Sequence, residues 1–215
     1  MAANRIATEL NFSLEGQLLV ASPAWDNLLF RRSVCLVVHH SPQGAVGIFL
    51  NRSMDLDAQV LWKQLNGAAA QPQSPEQAPA GQPAATEAGG SKQRALHFGG
   101  PKSGPVVALH NREELAEYCS AEGVYFAAQL SHLQELLKLS ETATELKIIV
   151  GQADWPAGAL DAQFAAGNWL PLPVLPKLVF SDSPYMWAKA LREIGNRYVI
   201  GITGAHGQPA DILAN

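Results

Sequence analysis

Short runs of apolar residues alternate with turn residues along most of this chain, a pattern typical of β-strands. The runs at 16–21, 33–38 and 45–50 are apolar and rich in β-branched residues, so each predicts a strand. A short segment with proline and glycine, from His39 to Gly44, separates the second run from the third. These two strands are therefore predicted to form an antiparallel hairpin.

Further strands are predicted downstream, at 96–98, 106–110, 123–126, 146–150, 169–172, 178–180 and 198–202. The first two of these flank a glycine-rich loop, which favours a second hairpin. That hairpin would place His97 opposite His110.

Helices are predicted where an apolar stripe follows a capping residue. Asp57 is expected to cap one helix, and Ser131 with Gln134 three residues later matches a capping box at the start of another. Two more helices are predicted. One begins at Pro156 and ends at Gly167, and the other begins at Asp182 or Ser183 and ends at Gly195.

One segment differs in kind from the rest. Residues 67–94 are almost entirely Ala, Gln, Pro, Gly, Ser and Glu, so they offer too little apolar surface to offset the entropy of ordering the chain. We predict a disordered insert here, within a single domain that spans 1–215. A solvated spacer is the favoured interpretation, and a partner-binding segment is the alternative.

The order of elements lacks the regular strand–helix alternation of a doubly wound fold. It favours the α+β class, as a single compact domain in which helices surround a bent, mixed β-sheet.

Composition narrows the functional classes. Charged residues are 16% of the chain and the net charge is −4, which argues against broad, non-specific binding of nucleic acid. So few charges favour some apolar surface, which a homo-oligomer would cover. No secretory signal and no apolar run of about 20 residues is present, so a cytoplasmic location without a membrane partner is expected.

Searches for catalytic signatures fail. The sequence has no P-loop, no GxSxG elbow, no HExxH and no GxGxxG. A metal site formed by His97, His110 and His40 is one hypothesis, but no local carboxylate or thiolate completes it, and hydrogen-bonded histidines at strand ends are favoured. We therefore expect neither a metal nor a cofactor.

Polar residues near predicted strand ends are a second source of candidates. They are His40, Asn51, His110 and Asp182. If these side chains converge, they would form the pocket of a small-molecule-binding protein or a hydrolase-like enzyme. A third hypothesis, direct DNA binding, requires five basic residues to gather on one face: Arg31, Arg32, Lys189, Arg192 and Arg197.

Several motifs, taken in order, resemble the bacterial YqgE/AlgH family. They are 16–23, Asp26, Phe30, 32–34, His40, 44–47 and 51–52; 99–101 and 109–110; Gly151, Ala153, Trp155, Gly158, Leu160 and 167–170; and 180–182, Trp187, Ala190 and Leu191. The third block departs from the family pattern, because four residues replace the usual Tyr, Gly, Gln and Glu: Gln152, Asp154, Ala159 and Gln163.

The resemblance implies a compact α+β fold with a strongly bent, bulged sheet and no established enzymatic activity. Some members carry a transcriptional-regulator label, although the pattern contains no helix-turn-helix. We therefore favour a non-enzymatic regulatory or interaction role with an unknown protein partner. The candidate surface is Gly99, Gly100 and Pro101 together with Asp154 and Trp155.

Overall fold

A computed structural model describes residues 13–57, 95–139, 145–181 and 183–203. The strands are β1 Gln17–Ala21, β2 Val34–Ser41, β3 Gly44–Phe49, β4 Ser53–Asp57, β5 Ala95–Phe98, β6 Lys102–His110, β7 Tyr118–Ala121, β8 Val124–Ala127, β9 Leu146–Pro156 and β10 Trp169–Pro173. The helices are α1 Leu130–Lys138, α2 Ala159–Ala165, α3 Pro176–Val179 and α4 Ser183–Thr203, with one 3₁₀ turn at Glu113–Leu115.

The strands form one curled sheet. Its main path is β10-β1-β2-β3-β9-β6-β8-β7, and β4 pairs with β5, which joins the sheet through β9. The β5–β9 pairing is parallel and the other pairings are antiparallel. Register shifts interrupt β2–β3, β4–β5, β6–β9 and β7–β8. The predicted α+β class, with a strongly bent, bulged mixed sheet and peripheral helices, is confirmed.

Strand β9 joins the two halves of the sheet. Its first half, around Ile148, lies between β5 and β6, and its second half pairs with β3 through Ala153 and Trp155. Gly151 lies between the two halves with φ +81°, a conformation that favours glycine. The strand can therefore change direction where it leaves one set of partners for the other.

The backbone at Gly99 and Gly100 crosses β9 at this bend. The Gly99 N–H donates to the Val150 carbonyl at 2.8 Å, and the Gly99 carbonyl accepts from the Phe49 N–H at 2.8 Å. A Cβ on Gly99 would lie 2.1 Å from the Gly151 carbonyl oxygen, and one on Gly100 would lie 2.2 Å from the Gln152 carbonyl carbon. Backbone packs on backbone here, so only glycine fits.

Both faces of the sheet are covered. Helices α3 and α4 cover one face, where Met186 and Ala190 are fully buried. The opposite face carries an aromatic cluster next to α2 and an aliphatic cluster next to α1. No helix within the described part of the chain is long and apolar enough to cross a bilayer.

The predicted hairpin from His97 to His110 is wrong. Leu96 and Ala108 both pair with Ile148, so β9 lies between β5 and β6 and separates the two histidines. Strands adjacent in sequence usually pair, but here the long apolar strand β9 inserts between them.

Two predicted strands are helical instead. Residues 178–180 belong to α3 and its C-terminal turn, where Pro176 occupies the first turn and Leu178 is buried. Residues 198–202 continue α4 beyond Gly195 to Thr203. Extending an existing helix costs less than starting one, which outweighs the β-branched composition of this stretch.

The predicted helix start at Ser131 is also wrong. Asp57, predicted to cap another helix, is the last residue of β4 and pairs with Ala95, and the residues of that predicted helix lie outside the described residues. Helix α1 begins at Leu130, before Ser131, and Gln129 occupies its N-cap position without a side-chain cap. Residues 67–94, predicted as an insert, lie outside the described residues.

Glu117 caps α1 from outside the helix. Its carboxylate accepts hydrogen bonds from the backbone N–H groups of Ala128 at 3.1 Å and Gln129 at 2.8 Å, and it lies 2.9 Å from His132 Nδ1. Partial burial of Glu117 opposes its ionisation, but these donors outweigh that effect and lower the pKa of its carboxyl.

We expect Gly99→Ala to lower the free energy of unfolding by about 3 kcal/mol or more, or to prevent folding, because the clash is with backbone that cannot rotate away. Gly195→Ala is the matched control, since a Cβ there meets nothing within 4 Å and alanine favours the helix by up to about 1 kcal/mol. Urea unfolding measures both. An unchanged midpoint for Gly99→Ala would contradict the close crossing.

We expect Glu117→Ala to cost about 1 kcal/mol of stability at neutral pH, the usual value of a helix cap. Because the pKa of Glu117 is lowered by folding, its contribution is complete above the ordinary pKa of glutamate and is lost as pH falls through the folded value. The gap between wild type and variant in urea unfolding should therefore shrink in acid. Exposed Glu122→Ala should change little at any pH, and an equal loss there would refute the capping role.

Candidate functional site

A pocket of about 640 Å³ lies between the segment that follows β1 and the side of α4. Its lining residues are Ser22, Pro23, Trp25, Asp26, Arg31, Arg32 and Trp187. We call it the arginine–tryptophan pocket. Its volume falls within the range that is usual for ligand sites in proteins.

The pocket combines cations with aromatic rings. Arg31 and Arg32 are both exposed, and neither guanidinium forms an ion pair with a carboxylate of the described residues. The Arg32 guanidinium lies over the Trp187 ring, 5.7 Å from its centre. With two guanidinium groups and the single carboxylate of Asp26, the lining carries one net positive charge. Such a surface attracts an anion.

The aromatic wall rests on the core. Trp25 stacks on Phe30 with ring centres 5.0 Å apart, and Phe30 in turn stacks on Trp155 at 5.9 Å. Gln163 Oε1 accepts hydrogen bonds from the indole N–H groups of Trp155 and Trp169, both at 3.0 Å. The wall is therefore continuous with a buried, hydrogen-bonded cluster.

Asn51 holds the backbone that carries Arg32. Its Nδ2 donates to the Arg32 carbonyl at 2.8 Å, and its Oδ1 accepts from the Val34 N–H at 2.9 Å. Arg32 has φ +54° and is the only non-glycine residue with positive φ in the described part of the chain. Such strain is often found at functional sites, where surrounding contacts maintain it.

Arg52 holds the same turn from the other side. Its guanidinium donates to the Leu29 carbonyl and to Ser33 Oγ, the latter at 2.9 Å. Burial lowers the pKa of Arg52, and the charge of Arg31 lowers it further. Asn27 Oδ1 accepts from the N–H groups of Leu29 and Phe30, which closes the turn from within.

Three of the polar residues predicted at strand ends, His40, Asn51 and His110, lie within the described residues and are not brought together. His40 Nδ1 accepts from the Leu14 N–H at 3.1 Å, and its Nε2 lies 3.2 Å from Asp161 Oδ1. His110 is fully buried and accepts from the Arg112 N–H at 3.3 Å. Of this set Asn51 alone adjoins the arginine–tryptophan pocket, and Asp182 lies outside the described residues.

The candidate surface predicted from the family resemblance, 99–101 with Asp154 and Trp155, lies where the chain crosses β9. Gly99 and Gly100 pack against its backbone, and Pro101 leads from them into β6. Asp154 pairs with Lys102, whose hydrogen bond lowers the pKa of the carboxyl in spite of partial burial, and accepts a further hydrogen bond from Gln152 at 2.8 Å.

Trp155 points to the other side of β9 from Asp154 and is only 4% exposed, inside the aromatic cluster. Within the described ranges, no three His, Cys, Asp or Glu side chains are grouped to hold a metal ion.

The basic residues proposed for DNA do not line one cavity. Arg31 and Arg32 line the arginine–tryptophan pocket, whereas Lys189 lines a different groove beyond α4. Arg197 Nε lies 2.9 Å from Glu193 Oε1, so this ion pair partly neutralises its charge.

Lys147 has a role that the sequence did not reveal. It is 6% exposed, and its ammonium donates to the Ser181 carbonyl at 3.1 Å and lies 3.4 Å from His97 Nε2. Burial, with a further contribution from the Lys147 charge, lowers the pKa of His97 to about 4. A lysine within the apolar run 146–150 is the sequence signal that could have indicated this polar contact.

Fold and site together define a curled-sheet α+β protein with a cationic pocket beside α4. Residues 18–199 match a protein-family model described as AlgH-like, and the chain belongs to that family. The resemblance found in the sequence is thereby confirmed.

Similar proteins cover nearly the whole chain. A UPF0301 protein of Chlamydia caviae is 30% identical over 192 residues, which is 86% of this chain and 88% of that protein. The solution structure of AlgH from Pseudomonas aeruginosa matches with a TM-score of 0.61 at 22% identity, over 92% of this chain and 97% of that one. The crystal structure of DIP2367 from Corynebacterium diphtheriae also matches with a TM-score of 0.61 at 22% identity, over 90% of this chain and 94% of that one. The two structures show that the fold is shared.

We expect Asn51→Ala to lower the free energy of unfolding by about 2 kcal/mol, because it leaves the Val34 N–H and the Arg32 carbonyl without their partner. Asn111→Ala is the control, since Asn111 accepts one exposed hydrogen bond, from the Glu145 N–H at 3.2 Å, and its loss should cost less. Urea unfolding compares the two. Equal losses would show that Asn51 is not a special support of the turn.

Proposed function

We propose that this protein is a non-enzymatic interaction protein that binds an acidic side chain of a protein partner in the arginine–tryptophan pocket. The observation that carries the proposal is the pair of guanidinium groups, without acidic partners in the described residues, beside two tryptophans in a concave site. Tryptophan and arginine are the residues that most often dominate binding energy at protein interfaces.

The rigidity of the turn supports the same proposal. Asn51 and Arg52 fix the backbone around Arg32 through hydrogen bonds to the Arg32 and Leu29 carbonyls. A partner therefore does not have to order this segment when it binds, which reduces the entropic cost of association. A carboxylate bound between planar guanidinium groups also gains directed, charge-assisted hydrogen bonds.

A small anionic molecule is the second candidate ligand. The concavity of the site favours it, because about 640 Å³ is enough for a drug-sized compound. Native mass spectrometry at low salt separates the two candidates. A retained small mass that disappears in an Arg32 variant would favour the small molecule.

The test compares wild type with Arg32→Asn in quantitative affinity capture from extract of the cell of origin. Asparagine tolerates the left-handed backbone of Arg32 but removes the charge, so the fold should be kept. We expect Arg32→Asn to capture roughly tenfold less of the partner protein than wild type does, which corresponds to a loss of about 1.4 kcal/mol of binding free energy.

The matched control is Arg112→Asn, because Arg112 is an exposed arginine that pairs with Glu114 away from the pocket. It should retain the partner at the wild-type level. Equal retention by Arg32→Asn and wild type, or the absence of any retained protein, would reject the proposal.

A further inference from the structure

We propose that one extended acidic segment of the partner crosses α4, with one end in the arginine–tryptophan pocket and an apolar side chain in a groove on the opposite flank of the helix. This inference rests on the proposed function and extends it. It specifies the partner as a strand-like peptide in which an acidic residue precedes or follows an apolar one at a fixed spacing.

The groove lies between α3 and α4 and has a volume of about 580 Å³. Leu175, Pro176 and Leu178 form its apolar floor, and Lys189 and Glu193 contribute its wall on α4. The lining is predominantly apolar, unlike that of the arginine–tryptophan pocket. This apolar lining suits an aliphatic side chain.

The rim of this groove is cationic. Lys177 and Lys189 are exposed and form no ion pair with a carboxylate of the described residues. Glu193, which also lines the groove, is paired with Arg197. The two ammonium groups therefore complement carboxylates placed beside the buried apolar side chain.

Helical periodicity places the two sites on opposite flanks of α4. Met186 and Ala190 face the core and are fully buried. Trp187 lies on one flank of α4 and lines the arginine–tryptophan pocket, whereas Lys189 lies on the other flank and lines the groove. The outer surface between them carries Ala188, which is exposed and small enough for a chain to pass over it.

Arg192 is also exposed and lies one turn from Ala188 on the same outer surface. It supplies a cation midway along the path. A helix with its side chains is about 10 Å wide, and an extended chain advances about 3.3 Å per residue, so roughly three to four residues span the distance. The partner should therefore carry its acidic and apolar anchors at that spacing.

A peptide fits this surface better than a nucleic acid does. The apolar floor of the groove has no counterpart in a phosphate backbone.

The test is selection of a random peptide library on the full chain, followed by affinity measurement with a synthetic peptide of the selected sequence. We expect the selected peptides to share an acidic residue roughly three to four positions from an aliphatic one. We expect Arg32→Asn, Lys189→Glu and Ala188→Glu each to weaken the synthetic peptide roughly tenfold. Ala188→Glu keeps a good helix former but sets a negative charge on the crossing path.

Lys138→Glu is the matched charge control, because Lys138 is an exposed lysine at the end of α1. It should leave affinity unchanged, and circular dichroism confirms that each variant is folded. If Arg32→Asn alone weakens binding, the pocket function stands and the crossing is overturned. If Lys189→Glu alone weakens it, both proposals are overturned.

Two other results overturn the crossing. One is a selected set without the acidic and aliphatic pair. The other is displacement of the peptide by a 20-base-pair DNA duplex at low salt, with the same variants abolishing duplex binding. The second result would assign the surface to nucleic acid.

Discussion

The structure depends on one close contact between two stretches of backbone, at Gly99–Gly100 and at the bend of β9. The Gly99 N–H donates to the Val150 carbonyl and the Gly99 carbonyl accepts from the Phe49 N–H, so this point joins β5, β9 and β3. A side chain at either glycine would push these strands apart. The bend of β9 between its two sets of partner strands lies at this contact.

The arginine–tryptophan pocket uses the same sheet as a rigid base. Asn51 and Arg52 follow β3 directly and bond to the turn that carries Arg31 and Arg32. The exposed cations are therefore attached to the buried core through a single layer of polar side chains. Relatives share the fold, as the solved structures show.

Much of the fold could be predicted from the sequence, because apolar runs such as 33–38 and 45–50 are buried strands with a short turn between them. The position of β9 between β5 and β6 could not be predicted, because strands that pair across fifty or more residues leave no local signal in the sequence. Asn51 was predicted as a candidate from its place at a strand end, but its contact with Arg32 depends on a turn whose conformation the sequence does not state. The buried environment of Lys147 depends likewise on carbonyls from distant segments.

The long range of the β9 pairings has a consequence for synthesis on the ribosome. Strands β1, β2 and β3 can pair with one another early, but β3 then presents an open edge until Ala153 and Trp155 emerge about a hundred residues later. Unpaired edges of this kind invite association with other chains. The nascent chain therefore exposes this edge while about a hundred further residues are made, and association with other chains is favoured during that interval.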